Sequence, residues 1–338
     1  MSDVAPQRPA VMHDVARLAG VSHQTVSRVI NGSTRIRPET RERVERAIEQ
    51  LGYRPNTAAR ALVKGRSGMI GVIGVGGGYF GPASIQRSIE AAAQHRGLFA
   101  STVSVATLTR SLLDDSVEHL RRQGVEGIII VAGQDDALEV ARNRTADVPI
   151  VLVEGDLSRA RWTVGVDQAE GARLAVRHLL ELGHREIVHL GGPADWAEAR
   201  ARVDGFRLEM QAAGLRPAEP VLGPWNAAHG LAIGSEVAAD PDITAVFAAN
   251  DQIAIGLLLA LHEAGRRVPD EVSVVGFDDQ PEAAYLIPPL TTVRQDFGTV
   301  GVRAVDALTS AIAGADAGPP GLISPELVVR RSTGPARR

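Results

Sequence analysis

Six short apolar runs set the limits on what this 338-residue chain can fold into. They span residues 69–75, 127–131, 149–153, 186–190, 245–249 and 272–277. A strand with one wet face alternates apolar and polar residues. Runs this uniformly apolar read instead as strands covered on both faces of a parallel sheet. Helical patterns lie between them at 85–95, 111–122, 169–182, 198–213 and 252–264. Such alternation predicts an α/β core of two doubly wound lobes rather than one long sheet.

The first 66 residues have a different texture. Three short helices are predicted there, over Met12–Ala19, over His23–Ile30 and from Pro38 to about Leu51. Gly20-Val21-Ser22 forms the turn between the first two, with Ser22 as N-cap of the second. Pro38 suits a first helical position, Glu39 and Glu42 suit the positive end of the helix dipole, and Gly52 ends the helix. This all-α head holds 12 Lys+Arg against 6 Asp+Glu, a net of +6, whereas the other 272 residues hold 24 against 34, a net of −10. A basic head on an acidic body is the asymmetry of a chain that meets a polyanion at one end.

Several function classes are excluded by composition. With no cysteine, the chain has no disulfide framework, no Cys nucleophile and no thiolate metal site. No apolar run reaches 18 residues, so no membrane partner is expected. Residues 1–10 are polar and Pro-containing with no apolar signal core, so a cytoplasmic protein is expected. Gly74-Val-Gly-Gly-Gly78 follows a strand but breaks the G-x-G-x-x-G spacing at Tyr79. No H-E-x-x-H, no P-loop Lys-Ser/Thr and no G-x-S-x-G elbow is present, so neither an enzyme nor a cofactor is expected.

Two helices joined by a short Gly-containing turn form a helix-turn-helix, whose second helix enters the major groove of double-stranded DNA. The residues placed there to read bases are His23, Gln24 and Thr25, then Ser27 and Arg28 one turn on. Gln pairs bidentately with adenine and Arg with guanine, while the Thr methyl meets the thymine methyl.

The string Val11-Met-His-Asp-Val-Ala-Arg-Leu-Ala-Gly-Val-Ser-His-Gln-Thr-Val-Ser-Arg-Val-Ile-Asn31 closely resembles the signature of the lactose-repressor (LacI/GalR) family. Arg41-Glu-Arg-Val44 and Leu51-Gly-Tyr-Arg-Pro-Asn56 continue the match. His184-Arg-Glu-Ile187, Phe247-Ala-Ala-Asn-Asp-Gln-Ile-Ala-Ile-Gly256, Val274-Val-Gly-Phe-Asp-Asp279 and Ile287-Pro-Pro-Leu-Thr-Thr-Val-Arg-Gln-Asp-Phe297 resemble the family's effector-binding core. The resemblance covers about residues 11–335. It implies a helix-turn-helix domain at 10–55, a hinge helix and linker at 56–66, and a periplasmic-binding-protein-like type I core at 67–335. Within the core, one lobe would take about 67–165 and 296–324, the other about 166–295 and 325–335.

The resemblance also implies a homodimer on a near-palindromic operator. The residue matching the family's minor-groove wedge is Leu62, in Ala59-Arg60-Ala61-Leu62. About seven helical residues after Asn56 are too few to hold a helix alone, so this connector is expected to fold only against a partner. Asn31, Arg35, Arg54, Arg60 and Lys64 are read as DNA-backbone contacts, with Arg8 and Arg37 as further cations, all supplying affinity rather than sequence choice. Tetrameric members of the family end in a leucine-heptad helix. The tail Arg330-Arg-Ser-Thr-Gly-Pro-Ala-Arg-Arg338 has no heptads, which points to a dimer.

Ligands of open α/β sheets sit beyond the carboxyl ends of strands. Glu154, Asn250-Asp251 and Asp278-Asp279 follow predicted strands, while Arg202 and Trp225 lie close by in sequence. Carboxylates, an amide, an Arg and a ring suit the paired hydroxyls and apolar face of a saccharide. By resemblance, Arg202, Asn250 and Asp278 match the family's polar effector contacts, and Trp225, Gln295 and Phe297 match neighbouring pocket residues. Tyr79 and Phe80 resemble the opposite wall, and Glu154 stands where some members carry Asp. Gly223-Pro-Trp-Asn226, Ile287-Pro-Pro-Leu290 and the reading triplet lie near the lactose-repressor branch and point to a galactoside or another small saccharide. The sign of the effector's action stays open between inducer and corepressor. The rival reading, a soluble sugar-binding receptor with no transcriptional role, needs neither the basic head nor its helix-turn-helix.

Overall fold

The computed structural model describes residues 10–30, 32–53, 66–75, 78–105, 109–134, 137, 148–155, 162–315 and 322–337. They form two compact units, Met1–Ser67 and Gly68–Arg338. Asn31, Arg54, Arg60, Leu62 and Lys64 lie outside the described residues, as does most of the expected hinge.

The first unit is three helices, α1 (Met12–Ala19), α2 (His23–Ile30) and α3 (Pro38–Leu51). Gly20 ends α1 at φ 62°, a left-handed conformation that glycine adopts without a Cβ penalty. The Val21 N–H then returns to the Ala16 carbonyl at 3.0 Å, and Ser22 Oγ accepts the Thr25 N–H at 3.1 Å, so one short turn both stops α1 and starts α2. Val15, Ala16, Ala19, Val26, Val29, Val44, Ala47 and Tyr53 form a core of their own.

The second unit holds two sheets. One is ordered β2-β1-β3-β4-β5, from Met69–Val75 (β1), Phe99–Val105 (β2), Ile128–Val131 (β3), Ile150–Val153 (β4) and Thr163–Val164 (β5). All its pairings are parallel. The other is ordered β11-β10-β9-β8-β6-β7, from Ile187–Gly191 (β6), Val221–Leu222 (β7), Ala245–Ala248 (β8), Ser273–Asp278 (β9), Thr291–Arg294 (β10) and Glu326–Val328 (β11). Only β11 runs antiparallel to its neighbour. The apolar runs are buried on both faces: β3, β4 and β8 are buried at every position. Helices α4 (Phe80–His95), α5 (Arg110–Arg122) and α10 (Phe297–Ile312) cover the first sheet, and α6 (Gln168–Glu181), α7 (Ala197–Ala212), α8 (Ala227–Ala239) and α9 (Asp251–Glu263) cover the second.

The chain passes between lobes near Val166, near Gln295 and near Ile323. The first and third crossings are laced together, Asp167 N–H to Ile323 O at 2.9 Å and Ile323 N–H to Gly165 O at 3.0 Å. The carboxyl ends of β3, β4, β6, β8, β9 and β10 all give onto one interlobe cleft.

The structure departs from the sequence expectation in several places. Helix α4 starts at Phe80, not at 85, because Pro82 falls in the first turn, where a missing N–H costs nothing. Strand β2 alternates polar and apolar at the sheet edge, so it lacks the uniform run of the buried strands. Helices α8 and α10 lie outside the helical patterns read from the sequence, and both carry internal glycines. Gly230 and Gly301 are required there, since a Cβ would strike the backbone of Ile253 and of Ser88 in the neighbouring helices.

Candidate functional site

On the head, α2 presents one polar side. His23, Gln24 and Arg28 are exposed, Thr25 and Ser27 half-buried, and Val26 and Val29 face the core. The Thr25 hydroxyl is engaged with Ser22 Oγ at 2.9 Å. Arg35 is exposed beyond the helix. A rigid helix with a free N-terminal polar face is what major-groove reading needs.

In the core unit, a cavity opens between the lobes. It is lined by Tyr79, Phe80, Glu154, Arg202, Trp225, Asn250, Asp278, Gln295 and Phe297, nine residues drawn from both lobes and from every part of the core sequence. The structure therefore brings all nine candidate effector residues together. It adds Gln168, Trp196 and Glu198, which sequence reasoning missed.

Arg202 is the centre. It lies one and a half turns into α7, 5% exposed. Its guanidinium is stacked 3.8 Å from the centroid of Phe277 and 5.3 Å from that of Trp225. Nε donates to Gln168 Oε1 at 2.9 Å, one Nη donates to the Ala249 carbonyl, and the other lies 3.8 Å from the Asp278 carboxylate. Burial pulls its pKa down, while Asp278 pulls it back. Gln168 is the hub beside it. Its amide donates to Gln295 Oε1 at 2.8 Å and to Glu154 Oε2 at 3.2 Å, and Gln295 in turn donates to Asp278 Oδ1 at 2.7 Å. This chain fixes the rotamers of the polar residues before any ligand arrives, which lowers the entropy cost of binding.

The backbone is shaped to aim the acids. Among the described residues, Glu154, Asp278 and Asp279 are the non-glycine positions at positive φ, at 68°, 110° and 52°. Each costs on the order of 1–3 kcal/mol, and such strain clusters at binding sites. Burial pushes the Asp278 carboxyl up to about 6 against the pull of Arg202 and the Gln295 hydrogen bond. Burial, then the charge of Glu198, pushes Glu154 up to about 8, and burial raises Glu198 as well. Asp279 caps no helix. It turns away and holds Arg294 and Arg330, each at 2.6 Å.

Asn250 has two duties. Its Oδ1 accepts the Ile253 N–H at 2.8 Å, capping α9, and its amide faces the Trp225 carbonyl at 3.4 Å. The aromatic wall runs edge to face, Tyr79 to Trp196 at 5.5 Å, Trp196 to Trp225 at 5.9 Å, and Phe80 to Phe297 at 5.9 Å. Gly192 is needed behind it, since a Cβ there would overlap the Trp225 ring. The signal that could have found Trp196 was the strand-end rule itself, as it follows the carboxyl end of β6.

Residues 11–56 match the lacI family of bacterial regulatory proteins, and residues 176–333 match the periplasmic binding protein-like domain. Over 331 residues the chain is 34% identical to the lactose operon repressor of Escherichia coli (strain K12), across 96% of this chain and 91% of that one. A crystal structure of the lac repressor dimer bound to operator and the anti-inducer ONPF superposes with a TM-score of 0.89 at 33% identity, covering 97% of this chain and 100% of that chain. A complex of the transcriptional regulator CelR with cellobiose superposes with a TM-score of 0.71 at 32% identity, covering 96% and 99%.

Proposed function

As this chain belongs to the lacI family of bacterial regulatory proteins and is a DNA-binding transcriptional regulator, we propose that it works as a homodimeric repressor whose hold on a near-palindromic operator is set by a small saccharide between its lobes. The observation that carries the saccharide reading is the convergence of Arg202, Asp278, Asn250, Glu154 and Gln295 with the Tyr79–Trp196–Trp225 wall on one cavity between the lobes. Charged and amide groups at its floor suit vicinal hydroxyls, and rings at its wall suit the apolar face of a pyranose. The operator carried by the lac repressor dimer and the cellobiose carried by CelR are ligands of the same two kinds.

Each protomer would lay α2 in one half-site, as two-fold symmetry requires, with His23, Gln24, Thr25, Ser27 and Arg28 at the bases. Arg35, with Asn31, Arg54, Arg60 and Lys64 beyond the described residues, would hold phosphates, and Leu62 would wedge a central base step. The saccharide favours one arrangement of the lobes and so one spacing of the paired connectors. A coupling of about 1–3 kcal/mol changes operator affinity roughly 5- to 150-fold, and DNA must alter saccharide affinity by the same factor. The cavity is read as a binding site because the relatives this chain resembles are transcriptional regulators. No described helix is long and apolar enough to cross a membrane, and the reading places the protein in the cytoplasm with its DNA.

The test is a thermal-shift panel of mono- and disaccharides on the purified full chain, each hit then titrated into the chain bound to DNA from upstream of its own gene. A ligand at 100 times its Kd adds about 2.7 kcal/mol to stability, a readily measured shift. At least one saccharide should shift melting and change DNA binding. A panel with no hit, or hits that leave DNA binding untouched, would overturn the reading.

A further inference from the structure

The interlobe cavity holds more negative charge than it can pair. Three carboxylates line it, Glu154, Glu198 and Asp278, against one lining cation, Arg202. That cation lies nearest Asp278 and donates to Gln168 and the Ala249 carbonyl, while its charge also acts on Glu154 and Glu198 from farther off. Among the described residues no ion pair within 4.0 Å reaches Glu154 or Glu198. Arg200, on the same helix, acts on Glu198 through its charge, and its Nη1 is bonded to the Ala194 carbonyl at 3.0 Å.

Glu198 is 7% exposed; its own N–H and that of Gly155 hydrogen-bond its carboxylate, but its Oε2 has no partner. The side chain leaves the first turn of α7 in one lobe and lies flat on Gly133 of the other, where a Cβ would collide with the carboxylate. Glu154 comes from the end of β4 and is held only by long contacts, to the Val166 N–H at 3.4 Å and the Gln168 amide at 3.2 Å. The Trp225 indole N–H, 6% exposed, is also unpartnered. A buried, unpaired carboxylate is costly unless it keeps a proton or meets a cation. The empty protein takes the first course, since burial raises both glutamates. The hydroxyls of a neutral sugar would hydrogen-bond these carboxylates but bring them no opposite charge. An ammonium would supply that charge, and the Tyr79–Trp196–Trp225 rings suit a cation nearby.

We propose that the saccharide selected here is an amino sugar whose ammonium seats between Glu154 and Glu198. The inference rests on the saccharide reading above. Binding then exchanges one cation for another. The protonated member of the pair gives its proton to solvent, its carboxylate pairs with the ligand ammonium, and the net charge of the site is conserved. Arg202 and Arg200 on α7, Asp278 on β9 and the Gln168 amide on α6 are the charged and polar groups that surround the pair.

Isothermal titration of the full chain near pH 6.5 tests this with glucosamine, galactosamine and the β-1,4 dimer of glucosamine, each beside its parent sugar and its N-acetyl form. Repeating it in phosphate and in MES, which both buffer at this pH and whose ionisation heats differ, reads the released proton. The free amine should bind at least tenfold tighter than both counterparts and release a proton. Glu198→Gln, and independently Glu154→Gln, should cut that preference below threefold; both remove a buried charge and so should not unfold the chain. Equal binding of a parent or N-acetyl sugar, no proton release, or an undiminished preference in both variants overturns the proposal while leaving the saccharide reading intact. Binding of no saccharide overturns both.

Discussion

Replacing Asp278 by Asn should make the empty protein more stable and the regulator deaf to its ligand. Burial lifts the Asp278 pKa from 3.8 to about 6 even with Arg202 beside it and Gln295 bonded to it. A carboxylate whose folded pKa is raised contributes stability below its unfolded pKa and loses it as pH rises through the folded value. Below pH 3.8 the group is neutral in both states. Above pH 6 the fold carries the whole cost of ionising it. The difference of about 2 pK units, at 1.36 kcal/mol each, sets that cost at about 3 kcal/mol. Asn keeps the shape and the acceptor for Gln295 but cannot ionise. At pH 8 the variant should therefore gain about 1–3 kcal/mol, or roughly 2–6 °C in Tm for a unit of this size, and the gain should vanish near pH 3.8. The carboxylate also supplies a charge-assisted hydrogen bond to the ligand, worth about 1.5–3 kcal/mol, so ligand affinity should fall roughly 10- to 150-fold. Operator affinity without ligand should hold, since Asp278 belongs to the core unit and the reading helix to the other. Thermal melts between pH 4 and 8, with fluorescence anisotropy on labelled operator, read all three effects. A Tm that fails to rise at pH 8, or a ligand midpoint within twofold of the parent, would refute the reasoning.

Three further perturbations separate structure from recognition. Asp279→Asn removes the partner of both Arg294 and Arg330 and should cost about 2–3 kcal/mol in a chemical melt, the opposite sign to its neighbour. Gly192→Ala puts a methyl into the Trp225 ring, and overpacking of this kind costs about 1–3 kcal/mol; far-UV circular dichroism should be preserved while ligand affinity drops at least tenfold. Gln24→Ala takes away a base contact worth about 1–3 kcal/mol, and should weaken operator binding while leaving nonspecific binding and its salt slope unchanged.

What the sequence disclosed followed the physics of each element. The uniformly apolar strands β1, β3, β4 and β8 announced themselves because both faces are dry. Strand β2 did not, because an edge strand with one wet face reads like a polar linker. The head was legible almost to the residue, since its turn chemistry at Gly20-Val21-Ser22 is local. In the cavity, Arg202, Asn250 and Asp278 could be picked out by family resemblance and by the strand-end rule. Glu198 could not, because an acid in the first turn of a helix is ordinary dipole compensation until the fold shows it buried and unpaired. Gln168 was equally silent: only the meeting of both lobes makes it a hub. The left-handed backbone at Glu154 and Asp278, which aims both carboxylates, leaves no mark in sequence at all.

The central claim is that a saccharide in the core sets the DNA affinity of the head. It is tested most directly by equilibrium binding of the full chain, at one fixed salt concentration, to an inverted-repeat duplex from its own upstream region and to a scrambled duplex of the same composition. The account predicts a preference of at least about 1,000-fold for the inverted repeat and a change of at least about fivefold when the saccharide hit is added. Equal affinity for the two duplexes, or an operator affinity that does not move when the cavity is filled, would contradict it.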